Sequence, residues 1–479
     1  MMSMTSLLLL SFLSLLVHAA SLHSRSYLTR RSSSCVSLGA QTELAPVALE
    51  KWLVEQGARK DDIKVSGGQA KAAIKQSDVI YSVPMSLCLD PSKAKTLLEG
   101  IESSMLRTGT LGMLALLLLA ERLAGTASKS NAYVLSLPQE IPGILGWDAA
   151  SLELLGRSTT RRVERQLQAY ETDAAFLLQR VQEENVQALR GFTAEGFRWA
   201  LGIVKARYFV IDGQPMLVPG IDSLLNDPFA LNEPYSASAG MFGGKIVKVA
   251  ADRAYKAGGS VRVSFGLKSS AECLEDHGNV PIIPVEEASC EITESIDGTE
   301  RFADDKLSIL EDQLCRSTLQ FDLEAGEDTP IDTELLRFLR LKFVTGMDAF
   351  ILESVFFGTV FETLGEPFSR VNEIAVFEHL HSRCRALLDK LSGGLPEGDA
   401  ELQRADSREG AMARLRVQER AALRDTLVKI EAEQLTLQPG RDPREYYQDR
   451  RLRELDLLRP LEEEEIVGEG DRPSFSDDY

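Results

Sequence analysis

Apolar positions along the chain fall into helical and strand periods. In LAPVALEKWLVEQGA they recur at helical spacing and stop at Gly57, predicting an amphipathic helix closed by glycine. LGMLALLLLAERLAG, from Leu111 to Gly125, is apolar nearly all round, which predicts a helix buried on every side. RRVERQLQAYETDAAFLLQRVQEENVQAL and WALGIVKARYFV predict two more helices. Between these, KVSGGQAKAAIKQSDVIYSVP reads as a glycine turn joining short strands, then a strand ended by Pro84. NAYVLSLPQEIPGILGW reads as loop, because Pro138 and Pro142 break regular structure. Val261, Val263 and Phe265 alternate as a buried strand that ends at Gly266 and KSS; AECLEDHG follows as a short helix stopped by Gly278. Strand, turn, short helix and return predict the wall of a crevice. Beyond it the pattern is mainly helical: RFADDKLSILEDQ, TELLRFLRLKFVTGMDAFILESVFFGTVFETL, and SRVNEIAVFEHLHSRCRALLDKLSGG with a stop at Gly393 and Gly394.

Length and charge narrow the field. The 479 residues suggest two to three domains, and 44% hydrophobic with 26% charged residues is ordinary for a soluble globular protein. The formal charge of -19 becomes -22 once Arg25, Arg30 and Arg31 are set aside with the first 42 residues, which hold no acid. Phosphate binding needs clustered lysine and arginine, so nucleic acid is not an expected partner. Cysteines at 35, 88, 273, 290, 315 and 384 show neither C-x-x-C nor small-domain spacing, which fits a reducing compartment without a disulfide framework.

The first 42 residues form a targeting segment of two parts. LLLLSFLSLLVHAA has the length and small-residue end of a signal peptide and is too short to span a membrane comfortably; SLHSRSYLTRRSSSCVSLGAQT is rich in serine and arginine like a transit peptide. That order suits import into a plastid bounded by extra membranes. Plain secretion is the alternative. No other segment has eighteen uninterrupted apolar residues, so no membrane span is expected in the mature chain. The last residues, EEEEIVGEGDRPSFSDDY, read as an acidic disordered tail over 461–479.

Several stretches resemble one family. Asp304 to Leu307, Leu339 to Leu341, Asp348 to Ser354, Ser369 to Glu373 and Tyr446 to Leu452 follow the order of D-D-K-L, L-R-L, D-A-F-x-L-E-S, S-R-x-N-E and Y-Y-Q-x-R-R-L. Tyr133, Leu137, Pro138 and Trp147 match a Y-x-x-x-L-P pattern before a tryptophan and a long helix. Together with WALGIVKARYF and the 261–278 stretch, these resemble the SET-domain protein lysine methyltransferases of the Rubisco large-subunit methyltransferase type. The resemblance implies an α+β fold: a SET domain of small, β-clip-like sheets over 43–300, a helical insertion at about 106–195, and an all-α substrate-binding domain over 301–460. It also implies methyl transfer from S-adenosyl-L-methionine to a lysine of a plastid protein.

Such a transfer is an in-line displacement, so the protein must align two reactants and present the amine neutral; a narrow apolar channel favours the neutral amine by desolvation. No metal or covalent nucleophile is required. By resemblance, Gly67 and Gly68 stand at the turn whose backbone approaches the methionine end of the cofactor, and Arg207 lies near cofactor and substrate. Asp222 opens the D-x-x-N-H stretch on the substrate side. Asn226 matches its asparagine only after a one-residue insertion, and Asp227 replaces its histidine. Phe265 and His277 occupy the places of the two family tyrosines. Each has a plainer reading: a hairpin turn at Gly67 and Gly68, a surface arginine, an Asx turn before Pro228, a structural histidine. His379, His381 and Cys384 suggest a metal, but positions i and i+2 of a helix point apart, and no metal site is expected. The competing function is a protein-binding module on the same scaffold, with turnover impaired by the altered glycine turn, the displaced asparagine and the two replaced tyrosines.

Overall fold

The computed structural model describes residues 38–437, apart from 99, 154–159, 185, 228–229, 239–243, 267, 314, 327–328, 353–359, 362, 368, 393–397 and 406. The body of the targeting segment, the acidic tail, the glycines at 393 and 394 and the Tyr446 to Leu452 match lie outside the described residues. The chain divides into two compact units, Met1–Trp147 with Glu164–Lys268 and Glu275–His277, and Asp148–Val163 with Ser269–Leu274 and Gly278–Tyr479.

In the first unit, helix α1 (Leu38–Glu55) ends just before Gly57, whose φ of 99° suits only glycine. Strands β1 (Val65–Ser66) and β2 (Gln69–Ala70) form a hairpin, and β3 (Val79–Pro84) is the strand expected before Pro84. Helices α2 (Pro91–Leu97) and α3 (Gly109–Ala124) follow. From Gly112 to Ala120 every residue of α3 is buried, as its uniform apolarity requires. By length and composition Gly109–Ala127 could cross a membrane; here it is a core helix. The 131–147 stretch departs from the loop expected of it. Asn131–Ser136 is a short helix, α4, because Pro138 ends a turn of helix without preventing it, and Tyr133 and Val134 anchor it in the core.

Helices α5 (Thr160–Glu183) and α6 (Ala194–Arg207) form on the amphipathic periods but end earlier than read: Gln187–Leu189 is a separate 3-10 turn, and Phe209 and Val210 leave the helix of WALGIVKARYFV for a strand. The Thr193 side chain accepts the Gly196 N–H and caps α6, which packs along α3 so closely that a Cβ at Gly196 would lie 3.1 Å from Leu119. Small strands complete the unit: β4 (Phe209–Ile211) with β5 (Gln214–Met216), β6 (Leu225–Asn226), β7 (Tyr235–Ser238) and β8 (Lys245–Ala250) beside β3 in the order β3-β8-β7, and β9 (Arg262–Val263) parallel to β6. The strand expected from Val261 to Phe265 is shorter than its alternation. All three residues are buried, but the ladder stops at Val263 because the Phe265 N–H donates to the Asn226 side chain instead of to a neighbouring strand.

Helix α7 (Ser270–His277) is the short helix of the acidic segment. Ser269 and Glu272 form a capping box at its start, and Gly278 closes it at φ 69°.

The second unit is mainly helical: α8 (Ala303–Asp312), α9 (Thr333–Lys342), α10 (Arg370–Ser392) and α11 (Arg408–Thr436). One antiparallel ribbon, absent from the all-α expectation, pairs β10 (Ser289–Ser295) with β11 (Thr318–Glu324) over seven residues each, from Ser289↔Glu324 to Ser295↔Thr318. The long run from Thr333 breaks after Lys342 and resumes as 3-10 helix at Gly346–Leu352, where Gly346 takes φ 59°. Arg340, 1% exposed, ties the helices together: its guanidinium meets Glu373 at 2.6 Å and donates to the carbonyls of Leu364 and Gly365.

Candidate active site

The site lies in the first unit, where α6, the 220–227 segment and the end of α7 deliver side chains to one place. Arg207, in the last turn of α6, donates from Nη1 to the Asp222 carbonyl at 2.9 Å. Asp222 follows Gly220, whose φ of 88° and approach to Tyr81 leave no room for a side chain, since a Cβ would lie 2.5 Å from the Tyr81 hydroxyl. The Asp222 carboxyl is 2% exposed and takes the Tyr133 hydroxyl on Oδ2, while Oδ1 has no hydrogen-bond partner among the described residues. Burial pushes this carboxyl up to about 6 against the opposing pull of Arg207 and Tyr133. The Tyr133 phenol is raised as well, first by burial and then by Asp222.

Asn226 is the junction. Its Oδ1 accepts the Phe265 N–H at 3.2 Å, which turns Nδ2 toward His277 Nε2 at 3.4 Å. Because Nδ2 can only donate, Nε2 accepts and the ring proton resides on Nδ1. The Phe265 ring stacks on Phe209 at 4.5 Å and meets the His277 ring edge-on at 5.9 Å. Burial is the main cause that pushes His277 down to about 4, helped by Lys268 and Arg207 and opposed by Asp276. The ring is therefore neutral near pH 7.

The remaining expected residues sit around this cluster. The Asp227 N–H donates to the Val263 carbonyl at 3.1 Å, its own carbonyl accepts the Ala230 N–H at 3.0 Å, and Oδ2 meets Arg253 at 3.3 Å. Gly67 and Gly68 form the two-residue hairpin loop at φ 54° and 78°, with open space where each Cβ would be; backbone conformation, not crowding, requires glycine there. The Gly68 carbonyl accepts the Val261 N–H at 2.8 Å, which ties the loop to the segment entering β9. The structure thus brings Asn226, Phe265 and His277 into mutual contact, joins Arg207 to Asp222, and ties the glycine turn to the segment that enters β9.

Sequence reasoning passed over a buried set of charges at the end of α7. Lys205, 9% exposed, bonds Glu275 and Gln166 and lies 3.1 Å from Asp276, which Lys268 also reaches at 2.9 Å. The signal was present: Lys205 interrupts an otherwise apolar stretch, WALGIV, on a helix whose face is buried. Tyr133 was visible as a motif position, but its bond to Asp222 spans 89 residues and has no local signature.

The groups suit a cofactor that carries a carboxylate beside a substrate that carries an amine. Arg207 offers a guanidinium for a carboxylate, and the unpartnered buried Oδ1 of Asp222 is an acceptor that an ammonium would satisfy. No cluster of three or more histidine, cysteine, aspartate or glutamate side chains disposed to hold a metal occurs among the described residues.

Comparison with known proteins agrees with this architecture. The family profile described as Rubisco LSMT substrate-binding matches residues 297–423. A chloroplastic [fructose-bisphosphate aldolase]-lysine N-methyltransferase of Arabidopsis thaliana is 29% identical over 435 residues, covering 85% of this chain and 86% of its own. The chloroplastic ribulose-1,5 bisphosphate carboxylase/oxygenase large subunit N-methyltransferase of Pisum sativum is 29% identical over 451 residues, 89% of each chain. Among solved structures, the SET domain of LSMT bound to lysine and AdoHcy superposes with a TM-score of 0.72 at 26% identity, covering 87% of this chain and 96% of that one. Rubisco LSMT bound to AdoMet gives a TM-score of 0.68, with coverage of 87% and 97%. In its small sheets, its helical second unit and these likenesses the chain is similar to the SET-domain proteins of the Rubisco large-subunit methyltransferase type.

Proposed function

We propose that the protein is an S-adenosyl-L-methionine-dependent protein-lysine N-methyltransferase acting on a plastid protein. The observation that carries this reading is the junction at Asn226, which gathers the backbone of Phe265 and the ring of His277 beside the Arg207–Asp222 pair. Arg207, Asn226, Asp227 and the Gly67–Gly68 turn would hold the cofactor, which supplies a methyl group on a sulfonium when bound. Asp222, with Oδ1 unpartnered, would receive the lysine side chain. The apolar pair Phe209–Phe265 excludes water beside the reacting amine and favours its neutral form. Neutral His277 keeps its Nδ1–H as a donor and adds no positive charge that would repel the sulfonium.

Residues 301–460 would bind the substrate protein, and residues 1–42 would direct import, first as a signal and then as a transit segment. The chloroplastic relatives support a plastid destination. Secretion would instead leave a mature protein beginning at Ser21. A second reading keeps the scaffold as a protein-binding module, and one observation favours it: neither Phe265 nor His277 places a phenol where an amine would be oriented. Calorimetric titration with S-adenosylhomocysteine, followed by radiolabelled methyl transfer to a stromal extract, separates the two. Binding with transfer is expected. Binding without transfer supports the module, and no binding overturns the assignment.

A further inference from the structure

The last turn of α7 carries Glu275, Asp276 and His277 in succession, and both carboxylates are buried, at 3% and 7% exposure. Two adjacent buried carboxylates are costly unless each is paired. Lys205, from α6, supplies the partner for both. Its ammonium bonds Glu275, lies 3.1 Å from Asp276 Oδ1, and donates at 2.7 Å to the Gln166 amide oxygen. Lys268 completes the set at 2.9 Å from Asp276 Oδ2, its ammonium 4.8 Å from the centre of the Tyr208 ring. Among the described residues, two cations, Lys205 and Lys268, thus meet the two anions. The backbone of the same turn is closed against Gly143, where a Cβ would lie 2.2 Å from the Glu275 carbonyl and 2.7 Å from that of Asp276. The end of α7 is therefore held by side chains and by backbone packing alike.

Lys205 also stands two residues before Arg207, on the helix that presents the guanidinium to the Asp222 carbonyl. One helix thereby fixes both the arginine and the turn that carries the histidine. We propose that Lys205 is a positioning residue: through Glu275 and Asp276 it sets the place and the charge state of His277 against Asn226 and Phe265. This deepens the methyltransferase reading and rests on it for the catalytic consequence, although the effect on His277 itself does not.

The charged groups acting on the His277 ring are Lys268 before α7, Asp276 on its own helix and Arg207 on α6, and Lys205 reaches the ring through its ion pairs with Glu275 and Asp276. Removing Lys205 takes one positive charge away from Glu275 and Asp276. That loss favours the imidazolium, so the His277 midpoint moves upward.

The test is the titration of the His277 ring by NMR in the full chain, alongside cofactor titration and methyl transfer. Lys205→Met should raise the His277 midpoint by about one pH unit and reduce transfer at least about tenfold, with S-adenosylhomocysteine affinity changed less than about threefold. Lys205→Met with Glu275→Leu removes one cation and one anion together. It should return the midpoint to the wild-type value and recover most of the transfer. A folded Lys205→Met protein with an unmoved His277 midpoint overturns the proposal. If the single variant does not fold, the double variant decides: a wild-type midpoint supports it, whereas a shifted midpoint or failure to fold overturns it. Should the wild-type protein bind no cofactor, the functional reading fails while the NMR arm still decides the role of Lys205.

Discussion

The two units both bury ions, and they use them differently. In the first, Lys205, Lys268, Glu275 and Asp276 hold the turn that carries His277, whose ring is pushed down to about 4. In the second, Arg340 and Glu373 pair at 1% and 0% exposure, and Glu294 is surrounded by Lys342, His379 and Arg383. These join α9, α10 and β10 and sit beside no candidate catalytic group. A buried ion pair is a weak source of net stability, because desolvation offsets much of the attraction. What differs is what lies beside it: the His277 ring in one unit, the packing of helices in the other.

The comparison breaks most sharply at Arg340. Arg340→Met leaves the Glu373 carboxylate buried without its partner and should cost about 3–5 kcal/mol. All three tryptophans, Trp52, Trp147 and Trp199, belong to the first unit. If the units differ as described, urea unfolding followed by circular dichroism at helical wavelengths should move to lower denaturant more than unfolding followed by tryptophan fluorescence. Adding Glu373→Leu should recover most of the loss. Equal shifts by both probes in the single variant would show that the ion pair supports the two units alike.

Two carboxyl groups give opposite pH dependences. Glu294 is held down to about 2 despite burial, by His379 first and then Lys342. Its contribution to stability is fully present above its ordinary value of 4.5 and is lost as pH falls through about 2, the loss amounting to about 2–3 kcal/mol. Asp222 is raised from 3.8 to about 6. The folded chain holds that proton more tightly than the unfolded one, so stability falls as pH climbs from about 4 to about 6. Glu294→Gln should flatten the acid limb of a stability-against-pH curve. Asp222→Asn should flatten the limb between pH 4 and 6 by about 2 kcal/mol, and its amide oxygen still accepts from Tyr133. Denaturant midpoints at pH 3, 4, 6 and 7 check both.

What could be read in advance follows how local its physics is. The short helix stopped by Gly278 and the glycine turn at 67–68 are written in adjacent residues, and the structure has both. So is α3, because nine consecutive buried positions need nothing but apolar residues. Helix α11 leaves no such trace: Arg414, Arg416, Gln418 and Glu419 are all buried on it, so its interior face does not look apolar. Strand β10 buries Glu294 where alternation would call for a third apolar residue after Cys290 and Ile292, and the ribbon it forms with β11 was hidden for that reason. In the site, Arg207, Asn226 and His277 could be placed by motif. Their mutual contacts depend on β6 pairing in parallel with β9, a register set across 37 residues that no local pattern announces.

The smallest expected change is also the one that tests the chemistry of the first unit most directly. Phe265 is 7% exposed, stacked on Phe209 and edge-on to His277, so Phe265→Tyr adds one hydroxyl at a buried ring edge and little volume. A buried hydroxyl without a partner costs about 1–3 kcal/mol, whereas one that finds an acceptor costs less than about 1 kcal/mol. The Asn226 bond to the residue 265 backbone does not depend on the side chain, so the ring should stay in place. If the missing phenol limits turnover, the variant should raise methyl transfer several-fold while S-adenosylhomocysteine affinity stays within about twofold, since a hydroxyl aimed at the reacting amine acts in the transition state. His277→Tyr is larger and removes the ring that Asn226 faces, and it should be read only after the single Phe265 variant. Measurable wild-type transfer that Phe265→Tyr leaves unchanged or lowers would mean that the site has been rebuilt around phenylalanine and a neutral histidine, with the Asn226 junction in place of the phenol.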